Sequence, residues 1–251
     1  RENFWERWTK LASQQSVELA VSDPFLQMQY EYQIGHRLPA IRTHALYTGA
    51  THFPLRADEV LVLDRPHESV MMCLIRHLMP GGESEGEEWP ASDGRLRAAS
   101  SPEYPYSFVT RALTDKKFST FAQFRAVVLW PYDMDLITFY EFFSMNMPIF
   151  MPAHLPKYLF QQDHSSYNHR WLMRKENKEP LWPREAAESP FEEGNLDAAK
   201  LIVGFSDYFR YPEVLYFDSI PDLLVKLPRT DFFEVVQAMA RFNHDSLVET
   251  S

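Results

Sequence analysis

Cysteine occurs once, at Cys73, so the chain has no internal disulfide and no cysteine-based structural zinc site. Glycine is also sparse. Eight glycines in 251 residues is about 3%, less than half the ~7% of ordinary proteins. Three of them (Gly81, Gly82, Gly86) fall in one acidic stretch. No Gly-x-Gly-x-x-Gly follows a strand-like run, and neither Gly-x-x-x-x-Gly-Lys-Ser/Thr nor Gly-x-Ser-x-Gly occurs. Dinucleotide fingerprints, P-loops and nucleophile-elbow hydrolases need glycine where backbone approaches phosphate or turns sharply, so all three classes are disfavoured. Positive charge is in deficit: 25 Lys and Arg against 35 Asp and Glu leave a net −10. Such a chain is a poor general binder of nucleic acid or anionic lipid, although one local basic site for a phosphate-bearing ligand stays open. No apolar run approaches the roughly 20 residues that span a bilayer. No His-Glu-x-x-His and no carboxylate-rich metal cluster is present, so no metal is assigned. The first residue is Arg1 rather than Met, which reads as a fragment or a processed chain whose targeting signals are not on view.

What remains is ordinary globular material, 45% apolar and 24% charged. Residues 1–54 read as a helical N-terminal segment, with helices near 2–21 and 24–34. Ser22 or Asp23 caps the second, Pro24 occupies its first turn, Gly35 closes it, and 41–54 is irregular. From Glu59 the rhythm changes. Apolar strand-like runs at 59–63, 106–109, 126–130, 148–151 and 214–217 alternate with helical patterns. Helices are expected near 68–79, with Val70, Cys73, Leu74 and His77 at helical spacing, and at 117–124, 135–145, 153–176, 196–209 and 221–227. A last helix covers 231–248, capped by Thr230, with its core stripe at Phe232, Val235, Met239 and Phe242. Polar, acidic stretches near 80–104 and 176–195 read as mobile loops. Strands alternating with helices predict an α/β domain over 55–251, a Rossmann-like parallel sheet flanked by helices.

The chemistry concentrates in Ala126–Pro152, AVVLWPYDMDLITFYEFFSMNMPIFMP. Ala126 to Trp130 reads as a strand buried on both faces, and Pro131 stops its hydrogen-bond ladder. Tyr132 to Asp135 then form the loop at the strand's C-terminal end, the edge at which open α/β sheets bind ligands. The helix beginning near Asp135 offers free N–H groups suited to a phosphate. It is apolar nearly all round and carries Glu141 as its one acid after the first turn. A carboxylate in a packed layer costs several kcal/mol, roughly, unless a cation, a backbone donor or ligand hydroxyls meet it.

Seven residues separate Asp133 from Glu141, and Pro148 stands seven beyond, after the short turn Ser144-Met145-Asn146-Met147. In this spacing the segment resembles the donor-binding, C-terminal half of GT-B-fold glycosyltransferases, many of which carry an acid-x7-acid pattern followed by a turn, a proline and a strand. Asn146 stands where that family usually has glycine, and asparagine tolerates left-handed backbone better than most residues. The resemblance implies that Glu141 binds the ribose hydroxyls of a nucleoside diphosphate sugar. It places Asp133, as the catalytic acid, with Tyr132, Asp135 and the backbone of Met134 to Ile137 at the sugar-diphosphate end, and Thr138 beside them. Arg65 and Arg111, each following a strand, are the nearest candidates for diphosphate contacts, and His164, near His169 and Arg170, for the sugar. The implied partners are a nucleotide-sugar donor and an unidentified acceptor, with no nucleic acid, no separate cofactor and no required divalent ion. An Asp133–Asp135 ion site is a weaker option, since such spacing also caps helices. Arg37, His44 and Tyr47 are candidates for a cleft floor or a packed linker, and Tyr208, Phe209 and Tyr211 for core or for stacking on a base. The rival expectation is a non-catalytic α/β interaction or regulatory module that kept the fold without activity.

Overall fold

Val60–Leu63 and Ala126–Leu129 are apolar without interruption because both strands are covered on both faces, and they form the middle of the sheet. The computed structural model describes residues 7, 9–11, 13–14, 18–34, 37–64, 68–80, 100–110, 114–131, 134–155, 200 and 203–250. Within it the chain divides into two compact units. One comprises His44–Pro131, Ile137–His154 and Pro212–Ser251; the other comprises Arg1–Thr43, Tyr132–Leu136 and Leu155–Tyr211.

The first unit holds the sheet. Its strands are β1 (Arg56–Asp64), β2 (Ser107–Thr110), β3 (Phe124–Trp130), β4 (Ile149–Pro152) and β5 (Leu215–Phe217). They lie in the order β2-β1-β3-β4-β5 and every pairing is parallel. The chain moves outward from β1 to β2, then crosses back to lay β3 on the other side of β1. The order thus reverses between β1 and β3, the switch point outside which sheets of this kind open a crevice. Alternation along the strands sorts side chains between the two faces. Val60, Val62, Ala126, Val128 and Phe150 join Met72, Ile75, Ile220, Leu223, Leu224, Leu227 and Phe232 in one core cluster. These partners come from α2 (Glu68–Leu78), α5 (Ile220–Lys226), the turn after it, and α6 (Phe232–Thr250). By the same two-residue period, Leu61, Leu63, Val127 and Leu129 face the opposite layer. That layer includes α3 (Phe118–Phe121) and α4 (Ile137–Ser144), whose Phe121 and Phe142 rings meet at 5.7 Å.

The parallel α/β architecture expected from the alternation of strands and helices is present. Several local expectations are corrected. In α2 Met72 and Ile75 are buried, as is Met79 just past its end, whereas Cys73 and His77 are exposed and Leu74 is 43% exposed. Helix α4 buries Phe139, Tyr140, Phe142 and Phe143, while Ile137 at its start is 66% exposed. The cap of α6 is Asp231, whose Oδ1 accepts from the amides of Phe233 (3.0 Å) and Glu234 (3.1 Å), while the Thr230 hydroxyl donates to the Lys226 carbonyl. Residues 100–104 do not belong to a free loop: the Tyr104 ring stacks on Phe108 and its hydroxyl donates to the Leu224 carbonyl at 2.7 Å.

In the second unit, α1 (Pro24–Ile34) matches its expected span. Asp23 Oδ1 accepts from the Leu26 amide at 2.9 Å, the N-cap bond foreseen for this position. The first helix does not reach residue 21. Residues 18–20 are non-helical, and Val21 bridges Ala40 in parallel, its amide donating to the Pro39 carbonyl. The 196–209 helix is seen at 200 and 203 and gives way to a tight 3-10 turn at Asp207–Phe209. Gly35, the 153–176 helix beyond residue 155, and most of the two expected loops lie outside the described residues. Among the described residues no helix is long and apolar enough to cross a membrane.

Candidate functional site

The site is built from the C-terminal end of α4 backward. Asn146 has φ +59°, the left-handed conformation its place in the turn required. Its amide donates to the Phe143 carbonyl (2.9 Å) and the Met147 amide donates to the Phe142 carbonyl (3.1 Å), the paired bonds of a Schellman ending. This turn stops α4 and sends the chain into β4. A strap running from Ala45 to His52 is pinned at both its ends to the same helix end. The Ala45 amide donates to Ser144 Oγ at 3.0 Å, and the His52 amide donates to the Met145 carbonyl at 2.7 Å. Between these pins, Leu46–Thr48 form a tight 3-10 turn closed by Gly49 at φ +56°. The turn presents the Tyr47 hydroxyl to Glu141, which accepts it on Oε1 at 2.7 Å. Partial desolvation, the bond to Glu141 and that residue's negative charge push the Tyr47 phenol up to about 12.

Glu141 is half-buried, and among the described residues no Lys, Arg or His pairs with it. Its side chain opens on a hollow of about 240 Å³ lined by Leu63, Lys116, Phe118, Ile137, Thr138 and Phe142, among others. The lining residues are an acid, a threonine, a lysine, aromatics and aliphatics. Lys116 stands at φ +61°, a conformation rare for lysine, in a turn where its amide donates to Thr114 Oγ1 and the Lys117 amide donates to Asp115 Oδ1. Nothing in its sequence context signalled Lys116 or Phe118 as site residues, because the positive φ and the approach of 116–118 to α4 are set by tertiary structure.

Of the residues expected at a donor site, Glu141 and Thr138 line this hollow together. Tyr132, Asp133, Arg65, Arg111 and His164 lie outside the described residues. Met134 and Asp135 belong to the second unit. There the Met134 carbonyl accepts from Ser206 Oγ at 2.8 Å, and the Leu136 amide donates to the Tyr208 hydroxyl at 3.0 Å. That amide, one of those assigned to a phosphate, therefore already has an acceptor. Asp135 shares a hydrogen bond with Asp23, which is 2% exposed. Burial pushes the Asp23 carboxyl up, against the lowering effect of its bonds to Leu26, Ser22 and Asp135. Tyr208 and Tyr211 are buried as core. His44 Nε2 lies 2.8 Å from Ser246 Oγ, and Arg37 approaches Glu31 at 3.9 Å, so of the three cleft-floor candidates only Tyr47 reaches Glu141.

Comparison of the chain with protein-family models, with curated proteins and with solved structures finds no match to any of them.

Proposed function

We propose that the sheet unit binds a nucleoside diphosphate sugar, with the ribose diol on Glu141, and that the chain acts as a glycosyltransferase of GT-B type. The observation that carries this reading is the open carboxylate: Glu141 faces a hollow rather than a sealed ion pair. An acceptor-only group in a hollow that is also lined by Thr138, Lys116 and Phe118 suits a sugar diol attached to a flat base. The parallel sheet supports it as well, since its order reverses between β1 and β3, and Leu63 of β1 lines the hollow. At about 240 Å³ the hollow is smaller than the roughly 300–1,000 Å³ of most small-molecule sites, so it takes the nucleoside end and leaves the diphosphate and sugar outside. In this reaction the departing diphosphate is stabilised electrostatically by Arg65 and Arg111.

One observation favours the alternative, a module that kept the fold without activity. The Leu136 amide, assigned to the diphosphate, is already held by Tyr208. Thermal-shift screening with UDP- and GDP-sugars, repeated on Glu141→Ala, separates the two. A donor-binding enzyme is stabilised by one of these sugars and the substitution abolishes the shift. A non-catalytic module shows no shift with any nucleotide.

A further inference from the structure

Tyr47 is 65% exposed, so burial does not hold it in place. Its position comes instead from the strap, which is pinned to the end of α4 through Ala45 and His52. Its ring also meets Phe118 edge-on, with centroids 6.1 Å apart and planes at 69°. The two pins and the ring contact bring the hydroxyl to one oxygen of one carboxylate, at 2.7 Å. Tyr47 is not among the side chains lining the hollow, whereas Glu141 is. The phenol therefore grips Oε1 without occupying the space a ligand would fill.

A half-buried glutamate with no partner samples several rotamers, and a ligand that needs one of them must first order the side chain. A charge-assisted bond from a braced phenol removes that freedom in advance. We infer that Tyr47 is a positioning residue for Glu141: its hydroxyl holds Oε1 so that Oε2 is offered, already oriented, to a vicinal diol entering the hollow. The inference rests on the nucleotide reading above. It gives the N-terminal strap, 94 residues away in sequence from its partner, a part in ligand selection. The phenol remains a donor across the physiological range, since even an unperturbed tyrosine ionises only at about pH 10.

The test is calorimetric titration of wild type, Tyr47→Phe, Glu141→Ala and the double variant with UDP, GDP and ADP and with their 2′-deoxy counterparts. The ribonucleotide that binds wild type is expected to bind Tyr47→Phe about twofold to tenfold more weakly, the cost of ordering one rotamer-rich side chain on binding. The matching 2′-deoxynucleotide should bind both proteins alike, and Tyr47→Phe should add nothing to Glu141→Ala. Selective loss of ribose discrimination is a result that a merely structural tyrosine does not produce. If Tyr47→Phe weakens the ribo and deoxy forms equally, or neither, the positioning role is overturned while the nucleotide reading stands. If no nucleotide binds wild type, both are overturned.

Discussion

The side-chain nitrogen of Asn243, on α6, stands 2.7 Å from Oδ1 of Asn146 and 2.8 Å from the carbonyl of Phe143. One amide thus closes the turn that ends α4, bonding both the left-handed residue and a carbonyl of the last helical turn. Replacing Asn146 with alanine forces a Cβ-bearing residue without a polar side chain into left-handed backbone, at about 1–2 kcal/mol, and removes a bond worth about 1 kcal/mol. Replacing it with glycine loses only the bond. Chemical denaturation should therefore rank the proteins wild type, then Asn146→Gly, then Asn146→Ala. Equal stabilities for the two variants would show that the backbone conformation is not what asparagine supplies there.

His52 predicts an acid-side loss of stability. Its imidazole is buried, with Nε2 3.0 Å from the Phe124 carbonyl. Burial, with a contribution from the Arg125 charge, lowers its folded pKa, against hydrogen bonds to the backbone of Phe124 and Arg125 that raise it. A histidine whose folded pKa lies below its unfolded value near 6.5 takes up a proton more readily when unfolded. Its contribution is present above that pH and is lost as the pH falls below it. The thermal midpoint of His52→Gln should change less between pH 7.5 and pH 5.5 than that of wild type. An identical drop in both proteins would exclude His52 as the source.

Asp23 predicts the opposite slope. Its folded pKa is raised above the model-peptide value of 3.8, chiefly by burial, so the folded chain holds the proton more tightly than the unfolded one. Stability from this group is present below 3.8 and declines as the pH rises through the folded pKa. Asparagine at this position keeps an acceptor for the Leu26 amide and supplies a donor toward Asp135 without the charge. Asp23→Asn should raise the thermal midpoint at pH 7 and leave it nearly unchanged at pH 3.5. A variant less stable than wild type at pH 7 would contradict this assignment.

The central strands were legible because a strand buried on both faces leaves no polar interruption, as in Val60–Leu63 and Ala126–Leu129. Asp23 before Pro24 announced α1 through local chemistry, and Asn146 announced its left-handed backbone in the same way. The sheet order was not legible, because parallel pairing joins residues far apart, such as Leu61 with Val127, through contacts that leave no local mark. Thr230 and Asp231 are adjacent and both competent to cap α6, and only the geometry of the turn selects Asp231. At the candidate site, Glu141 and Thr138 came from one helix and one motif. The partners that complete the hollow, Lys116 and Phe118, and the Tyr47 bond depend on tertiary approach. The Leu136 amide read as free because its acceptor, Tyr208, lies 72 residues further on.

The account stands on the Glu141 carboxylate meeting ligand hydroxyls. Parallel calorimetric titrations of wild type and Glu141→Gln with UDP-glucose and GDP-mannose test this most directly, because glutamine keeps the shape of the side chain while removing its charge. The account predicts saturable binding of one donor to wild type and affinity weakened at least tenfold in the variant, as expected for loss of a charged acceptor. Equal affinity in the two proteins, or no heat of binding from either donor, would contradict it.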